Sequence, residues 1–185
     1  IRTQGLFDFT FGRVEARIKM PSEKGIWSAF WLLGSDPSPY GGWPAKGEID
    51  IVEAYFRGDT AGESFASGAA HYGATGVSGG ACQDGASICQ TRNFNDFELV
   101  SELDDNGNPV SFDHYDGYHV YAVEWDAEQI RWYIDDFNFF SLRAETYWNY
   151  YNSAEIGYRP GGESAPFDTP FHIILNSAVG GTLPD

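Results

Sequence analysis

Three carboxylic acids lie close together in the segment 47–55, which reads GEIDIVEAY. Glu48 and Asp50 are two residues apart, so in an extended strand their side chains point to the same face. Glu53 has the opposite parity. We expect a β-bulge, which adds one residue to a strand, to return Glu53 to the face of the other two acids. The isoleucines of the segment would then face a hydrophobic core.

Packing three carboxylates together costs free energy, because like charges resist joint ionisation. Glycoside hydrolysis gives a reason to accept that cost. Retaining enzymes hold two carboxyl groups about 5–5.5 Å apart, one as the nucleophile and the other as the general acid and base. A third acid between them can share a proton with a neighbour and tune its pKa. The alternative is an exposed strand with three solvated acids, and the spacing alone does not decide between the two.

The charge of the chain narrows its possible partners. Its 185 residues include 27 Asp and Glu against 11 Lys and Arg, which gives a formal net charge of −16. This acidity argues against nucleic acid or an anionic membrane as a partner. No apolar run reaches the roughly 18 residues of a membrane-spanning helix. The 17% of aromatic residues is typical of a β core and also of surfaces that stack on sugars.

Alternating and apolar segments predict an all-β fold. The predicted strands are 6–11, 13–20, 26–33, 65–72, 118–125, 129–134, 137–142 and 171–178. A short helix is one interpretation of 143–152, while 73–92 and 158–169 are predicted to be loops. Eight or nine short strands with turn signals predict a two-sheet antiparallel β-sandwich, formed by a single domain over residues 1–185.

Four aromatic or polar side chains are candidates for contacts in a cleft or in the core. Trp43 lies in a loop with several prolines, five residues before Glu48, and is expected to stack on a sugar ring, with loop packing as the alternative. Trp27 and Trp31 are expected to pack in the core. Asn176 lies in a nearly apolar strand, so its amide needs a partner, either sugar hydroxyls or another protein group.

Several segments resemble glycoside hydrolase family 16. The phrase GWPAKGEIDIVE at 42–53 resembles the active-site strand of that family, and its form with one extra residue is similar to the laminarinase branch, the endo-β-1,3-glucanases. Other similar segments follow in the family's order at 11–21, 29–34, 71–73 and 171–181. The resemblance implies a jelly roll whose concave face forms a substrate groove.

The resemblance also implies an activity and a set of roles. The expected reaction is endo-acting, retaining cleavage of β-1,3-glucan or mixed β-1,3/1,4-glucan. Glu48 is the expected nucleophile, Glu53 the general acid and base, and Asp50 the acid that bonds to Glu48 and controls its charge. Substrate binding is expected of Trp43, His71, Asn176 and Arg2, where His71 bonds either to the substrate or to an active acid. The alternatives are hydrolysis of another β-linked polysaccharide such as agar or porphyran, and a non-catalytic sugar-binding jelly roll.

Cys82 and Cys89 are the two cysteines of the chain and lie in a segment rich in Gly, Ala and Ser. We expect a disulfide between them, which would suit an extracellular, secreted protein; two free thiols are the alternative. A metal site would need more ligands than these two. No cofactor is expected for catalysis, and the structural calcium that the resemblance implies cannot be placed on particular residues. The partner is expected to be a polysaccharide, and the protein a monomer.

The ends of the sequence carry expectations of their own. The chain starts at Ile1 without a methionine and shows no signal peptide, so a mature or trimmed product is expected. The resemblance implies further strands before residue 1 and beyond Pro184, so the sequence is expected to be a catalytic core without them.

Overall fold

The computed structural model describes residues 1–56, 64–72, 88–93, 98–103, 109–111, 114–144, 150–153, 157–160 and 164–180. Within these ranges the chain forms thirteen β-strands, numbered here in chain order: β1 Gly12–Ile18, β2 Ile26–Gly34, β3 Glu48–Phe56, β4 Ser64–Tyr72, β5 Ile88–Asn93, β6 Glu98–Leu103, β7 Pro109–Ser111, β8 His119–Trp125, β9 Gln129–Ile134, β10 Phe137–Arg143, β11 Tyr150–Ser153, β12 Gly157–Pro160 and β13 Phe171–Val179. Among the described residues no helix is long and apolar enough to cross a membrane.

Two antiparallel sheets carry the architecture. One has five strands in the order β13-β2-β3-β4-β5, and the other has four in the order β1-β8-β9-β10. The strands β6 and β7 form a separate two-stranded sheet, as do β11 and β12. The predicted two-sheet antiparallel fold is confirmed. The strand with the three acids, β3, lies at the centre of the five-stranded sheet, where β2 and β4 fix its register from both sides.

Both sheets contribute to one hydrophobic core. In β9 the alternation places Ile130, Trp132 and Ile134 inside, and in β2 it does the same for Phe30 and Leu32. All five are less than 5% exposed. Burying a side chain of this size contributes about 1.5–3 kcal/mol, so the facing sides of the two sheets supply most of the stability.

Four predicted elements differ from the structure. Residues 6–11 do not form a strand: Phe9 makes an isolated bridge to Phe171, while Phe7 is 58% exposed. The predicted loop 73–92 is wrong at its end, where β5 begins. The predicted helix 143–152 is wrong at both described ends, which belong to β10 and β11, and β12 occupies the start of the predicted loop 158–169. In each of the last three cases a neighbouring strand supplies hydrogen-bond partners to a segment that has no strong strand pattern of its own.

Candidate active site

A β-bulge interrupts β3 between the second and the third acid. In the pairing with β4, Asp50 lies opposite Ala69 and Glu53 lies opposite Ser67. Two residues of β3 therefore lie opposite one residue of β4, which is Gly68. The register with β2 shifts at the same place. The predicted bulge is confirmed.

The bulge determines which side chains of β3 face the core and which lie on the other face of the sheet. The two residues of the bulge, Ile51 and Val52, are both buried in the core, at 1% and 0% exposure. The three acids lie opposite β2 residues of one parity, namely Leu33, Trp31 and Ala29 in the order of Glu48, Asp50 and Glu53. Because directly opposite residues share a face, the three acids lie together. We call this side of the five-stranded sheet the acid face.

Gly47 sets the entry into this strand. Its φ is +83°, and a Cβ at this position would lie 2.8 Å from the ring of Phe171 and 3.0 Å from Pro166. Both the backbone conformation and the close packing require glycine here. The turn directs the chain so that Glu48 is the first residue of β3.

His71 joins two of the acids. It lies opposite Glu48 on β4, its Nε2 is 2.8 Å from Oδ2 of Asp50, and the same nitrogen is 3.8 Å from Oε1 of Glu48. The expected bond from His71 to an active acid is therefore present. The partner of Asp50 is His71, whereas a bond to Glu48 was expected; Asp50 acts on Glu48 through its charge.

Three tryptophans donate indole N–H groups on the acid face. Nε1 of Trp43 lies 3.1 Å from Oε2 of Glu48, and Nε1 of Trp27 lies 3.1 Å from Oε1 of Glu53. Nε1 of Trp31 lies 2.7 Å from Oδ1 of Asn176, which gives that amide its partner. Each outer acid thus has an uncharged aromatic donor beside it.

The expectation that Trp27 and Trp31 pack in the core is wrong. Strand β2 alternates, and Phe30 and Leu32 are the residues that enter the core. Because the strand is apolar on both faces, its local pattern does not show which of the two sets of side chains enters the core. The register with β3 makes the choice, since it sets Trp31 opposite Asp50.

Burial dominates the electrostatics of the acids. It raises the pKa of Glu48 to about 8, and those of Asp50 and Glu53 each to about 7. The charge of Asp50 raises the pKa of Glu48 and of Glu53 further. For Glu53 the contribution from the charge of Asp50 is smaller than the one from burial. Near neutral pH the cluster therefore holds protons that it can donate.

The order of these pKa values does not by itself assign the roles. A nucleophile has to be ionised while the general acid keeps its proton, yet the pKa is raised more for Glu48 than for Glu53. The charge of His71 and the N–H of Trp43 favour the ionised form of Glu48. Because the charge of Asp50 acts on both glutamates, the cluster as a whole provides both a carboxylate and a proton donor.

One group of side chains has the spacing of a metal site. The group consists of Glu48, Asp50 and His71, whose ligand atoms all lie within 4.8 Å of one another. In the described part of the chain, no other set of three or more His, Cys, Asp or Glu side chains lies as close together. This set belongs to the acid face. The implied structural calcium therefore has no such cluster elsewhere among the residues that the structure describes.

Two further predicted positions have different outcomes. The backbone of Arg2 pairs with Ile174 at the outer edge of β13, two residues from Asn176, and its role in substrate binding stays a prediction. Trp43 is 43% exposed, as expected for a residue that could stack on a sugar. Cys82 lies outside the described residues and the side chain of Cys89 is not described, so the disulfide also stays a prediction.

Comparisons with known proteins place the chain among the glycosyl hydrolases and their relatives. A family model described as glycosyl hydrolases family 16 matches residues 2–158. The chain is 34% identical over 183 residues to "Glucan endo-1,3-beta-glucosidase A1" of Niallia circulans, covering 99% of this chain and 22% of that protein. It is 34% identical over 186 residues to "Beta-1,3-glucan-binding protein" of Penaeus monodon, covering 98% and 46%.

A solved structure is similar as well. It is the catalytic domain of an endo-1,3-beta-glucanase (laminarinase) from Thermotoga petrophila RKU-1, with a TM-score of 0.62 and 35% identity over 99% of this chain and 58% of that one. The chain thus spans about half or less of the length of the two curated relatives.

Proposed function

The chain belongs to the glycosyl hydrolases of family 16, and from this premise we propose that it is an endo-acting, retaining hydrolase of β-1,3-glucan or mixed β-1,3/1,4-glucan. The observation that carries the proposal is the bulged strand β3, which sets Glu48, Asp50 and Glu53 on one face of the sheet. Retaining hydrolysis uses two carboxyl groups on opposite sides of one acetal, and a third to adjust their protonation.

The reaction proceeds in two displacements. In the first, a carboxylate oxygen of Glu48 attacks the anomeric carbon while the bond to the leaving oxygen breaks, and Glu53 gives its proton to that oxygen. In the second, Glu53 takes a proton from water, whose oxygen attacks the same carbon and releases Glu48. Configuration is retained because the carbon is inverted twice. Asp50, held by His71, adjusts the protonation of Glu48, because the charge of Asp50 raises the pKa of its neighbour.

The surroundings of the acids suit a neutral sugar chain. Trp43 presents an exposed indole beside Glu48, and a pyranose ring stacked there would shield apolar C–H surface from water. Asn176 and His71 offer polar groups for sugar hydroxyls, and Arg2 lies near Asn176 at the edge of the sheet. Sulfated galactans call for many cations, whereas this chain has 11 Lys and Arg in total. A neutral glucan is therefore preferred over a sulfated galactan such as porphyran.

A second candidate function is glucan binding without cleavage. It is favoured by the similarity to the binding protein of Penaeus monodon. Against it stand the buried acids, since a neutral sugar binder has no use for a proton donor beside a nucleophile. The two functions differ in whether the chain releases reducing ends.

A panel of polysaccharides tests the proposal. The purified chain is incubated with laminarin, a mixed-linkage glucan, agarose and porphyran, and reducing ends, product sizes and the first anomer formed are measured, the last by proton NMR. We expect oligosaccharides from laminarin or the mixed-linkage glucan, with the β-anomer first. Retardation by laminarin in affinity electrophoresis without any reducing ends would support the binding function. Cleavage of agarose or porphyran alone would overturn the glucan assignment.

Three further properties complete the proposal. The enzyme is a monomer, is extracellular, and needs no cofactor for catalysis. Both displacements above use side chains alone, which supports the last point. Size-exclusion chromatography tests the monomer, and activity that survives EDTA tests the cofactor statement. Fractionation of the source organism tests the location.

A further inference from the structure

Trp132 reaches the bulge of β3 from the opposite sheet. It lies on β9, is fully buried, and its Nε1 donates to the backbone carbonyl oxygen of Asp50 at 2.8 Å. Its ring stacks on Phe140 of β10, with centroids 4.9 Å apart and planes 29° apart. The indole therefore joins a rigid aromatic pair in one sheet to the backbone of the middle acid in the other.

Gly68 leaves the space that this contact requires. It is the single β4 residue that lies opposite the two bulge residues of β3. A Cβ at Gly68 would lie 2.8 Å from Cδ1 and 3.0 Å from Nε1 of Trp132. The indole ring cannot retreat easily, because Phe140 stacks on it. Glycine is needed here for close approach.

The contact fixes the backbone where the ladder of the sheet is irregular. A bulge disrupts the regular hydrogen bonds between strands, and buried backbone groups at such a place need partners from elsewhere. The side chain of Asp50 points to the acid face, while its carbonyl oxygen is held from the core side by Trp132. Any shift of this backbone would move Asp50 and Glu53 together.

We propose that Trp132 and Gly68 are positioning residues, which hold the bulge so that Asp50 and Glu53 keep their places beside Glu48. The inference rests on the proposed function for its catalytic readout. It assigns to two buried residues of other strands a role that the acids themselves cannot fill, because the parity of Glu53 depends wholly on the bulge.

Trp125 provides a matched control. It is also buried, at 2% exposure, and its Nε1 also donates to a backbone carbonyl, that of Phe167, at 3.1 Å. Its acceptor belongs to a loop and not to β3. Trp132→Phe and Trp125→Phe thus remove the same N–H group from two buried indoles, and each leaves a buried carbonyl without that donor. We therefore expect the two variants to lower the Tm by similar amounts.

The catalytic comparison measures kcat and KM of both variants on the glucan that the wild-type enzyme cleaves. We expect Trp132→Phe to lower kcat by about 10–100-fold, since a small displacement of catalytic groups has an effect of this size, with KM changed less than about threefold. Trp125→Phe should keep kcat within about threefold of wild type. Equal effects of the two variants on kcat would show that Trp132 serves stability alone and would overturn the proposal.

A second pair of variants covers the case in which Trp132→Phe does not fold. Gly68→Ala pushes against the indole, while Gly117→Ala adds a Cβ that meets no atom within 4 Å. We expect kcat to fall for Gly68→Ala and to stay unchanged for Gly117→Ala. If Gly68→Ala keeps the wild-type kcat, the proposal is wrong.

A titration separates this inference from the proposed function. Carbon-13 NMR follows the carboxyl carbon of Asp50 in the wild-type protein and in the Trp132 and Trp125 variants. A loosened bulge admits water, so the titration midpoint of Asp50 should fall in Trp132→Phe and not in Trp125→Phe. If the wild type cleaves no polysaccharide, the proposed function fails, yet a falling midpoint in Trp132→Phe still supports the positioning role of Trp132. An unchanged midpoint contradicts that role.

Discussion

Carboxylates lie on two sheet faces of the molecule, and the two faces differ in the donors that surround them. On the outer face of the four-stranded sheet, Glu124 accepts hydrogen bonds from Nη1 of Arg13 at 3.0 Å, Nε of Arg131 at 3.3 Å and the hydroxyl of Tyr133 at 2.9 Å. We call this the arginine face. On the acid face, Glu48 and Glu53 accept hydrogen bonds from the indoles of Trp43 and Trp27, which carry no charge.

The pKa values follow this difference. The hydrogen bonds from Tyr133, Arg13 and Arg131 hold the pKa of Glu124 below its ordinary value. Burial raises the pKa of Glu48 and Glu53 well above it. The arginine face gains modest stability from exposed ion pairs, whereas the acid face accepts a cost. The comparison teaches that the surroundings, and not the residue type, identify the carboxylates that are poised for proton transfer.

The largest contrast concerns catalysis. Glu48→Gln keeps the shape of the side chain and removes the nucleophile, so we expect kcat to fall by roughly 10⁴-fold or more. Glu124→Gln is the matched change on the arginine face and should leave kcat within about twofold. Reducing-end assays on laminarin measure both. Comparable activity of Glu48→Gln and wild type would remove the basis for the assigned roles.

A smaller effect concerns the proton donor. Burial raises the pKa of Glu53, and the hydrogen bond from the N–H of Trp27 lowers it in part, so that the pKa is about 7. Trp27→Phe removes that N–H, so the pKa of Glu53 should rise and the alkaline limb of the kcat profile should move to higher pH, by about half a unit to one unit. Trp31→Phe, which loses only its bond to Asn176, is the control. A limb that moves to lower pH would contradict the placement of Trp27.

Stability should depend on pH in the direction that the acid face sets. The pKa of Glu48 is about 8 in the folded protein, above its ordinary value of 4.5, so between these values the folded state binds more protons than the unfolded state. The contribution of Glu48 to the free energy of unfolding is therefore fully present below about pH 4 and is lost as the pH rises through 8. Glu48→Gln removes the loss, and we expect its Tm to exceed that of wild type by about 2–4 °C at pH 8 but not at pH 5. Calorimetric scans at the two pH values test this, and a wild type that is the more stable protein at pH 8 would contradict it.

The smallest effect belongs to the arginine face. Arg131 bonds to Glu124 and to Asp126 at 3.2–3.3 Å, in pairs that are partly exposed. Arg131→Gln should lower the free energy of unfolding by less than about 1 kcal/mol, and high salt should shrink the difference further. Urea unfolding at low and high salt measures it. A loss of several kcal/mol would mean that this face stabilises the fold far more than exposed ion pairs do.

The centre of the site could be predicted from the sequence because the three acids mark which side chains of β3 share a face. Three acids with one out of phase predicted a bulge, and the structure contains it. The strand at 129–134 was predicted for a similar reason, and the alternation of β9 marks one buried face.

The remaining errors have physical causes. Trp27 and Trp31 belong to a strand that is apolar on both faces, so its orientation depends on a register that the local pattern does not contain. Strands β5, β11 and β12 are held by their partners more than by their own composition. The contact between Trp132 and Asp50 spans 82 positions of the chain and involves a backbone atom, which leaves no periodic signal.

The assignment of the two glutamates can be tested directly by trapping the covalent intermediate. An activated 2-deoxy-2-fluoro-β-laminaribioside transfers its sugar to the nucleophile, and the fluorine slows the release, so peptide mass spectrometry can identify the labelled acid. The account predicts one added glycosyl group per chain, on Glu48. A label on Glu53 or Asp50 would contradict it, as would complete turnover of the reagent with no acid labelled.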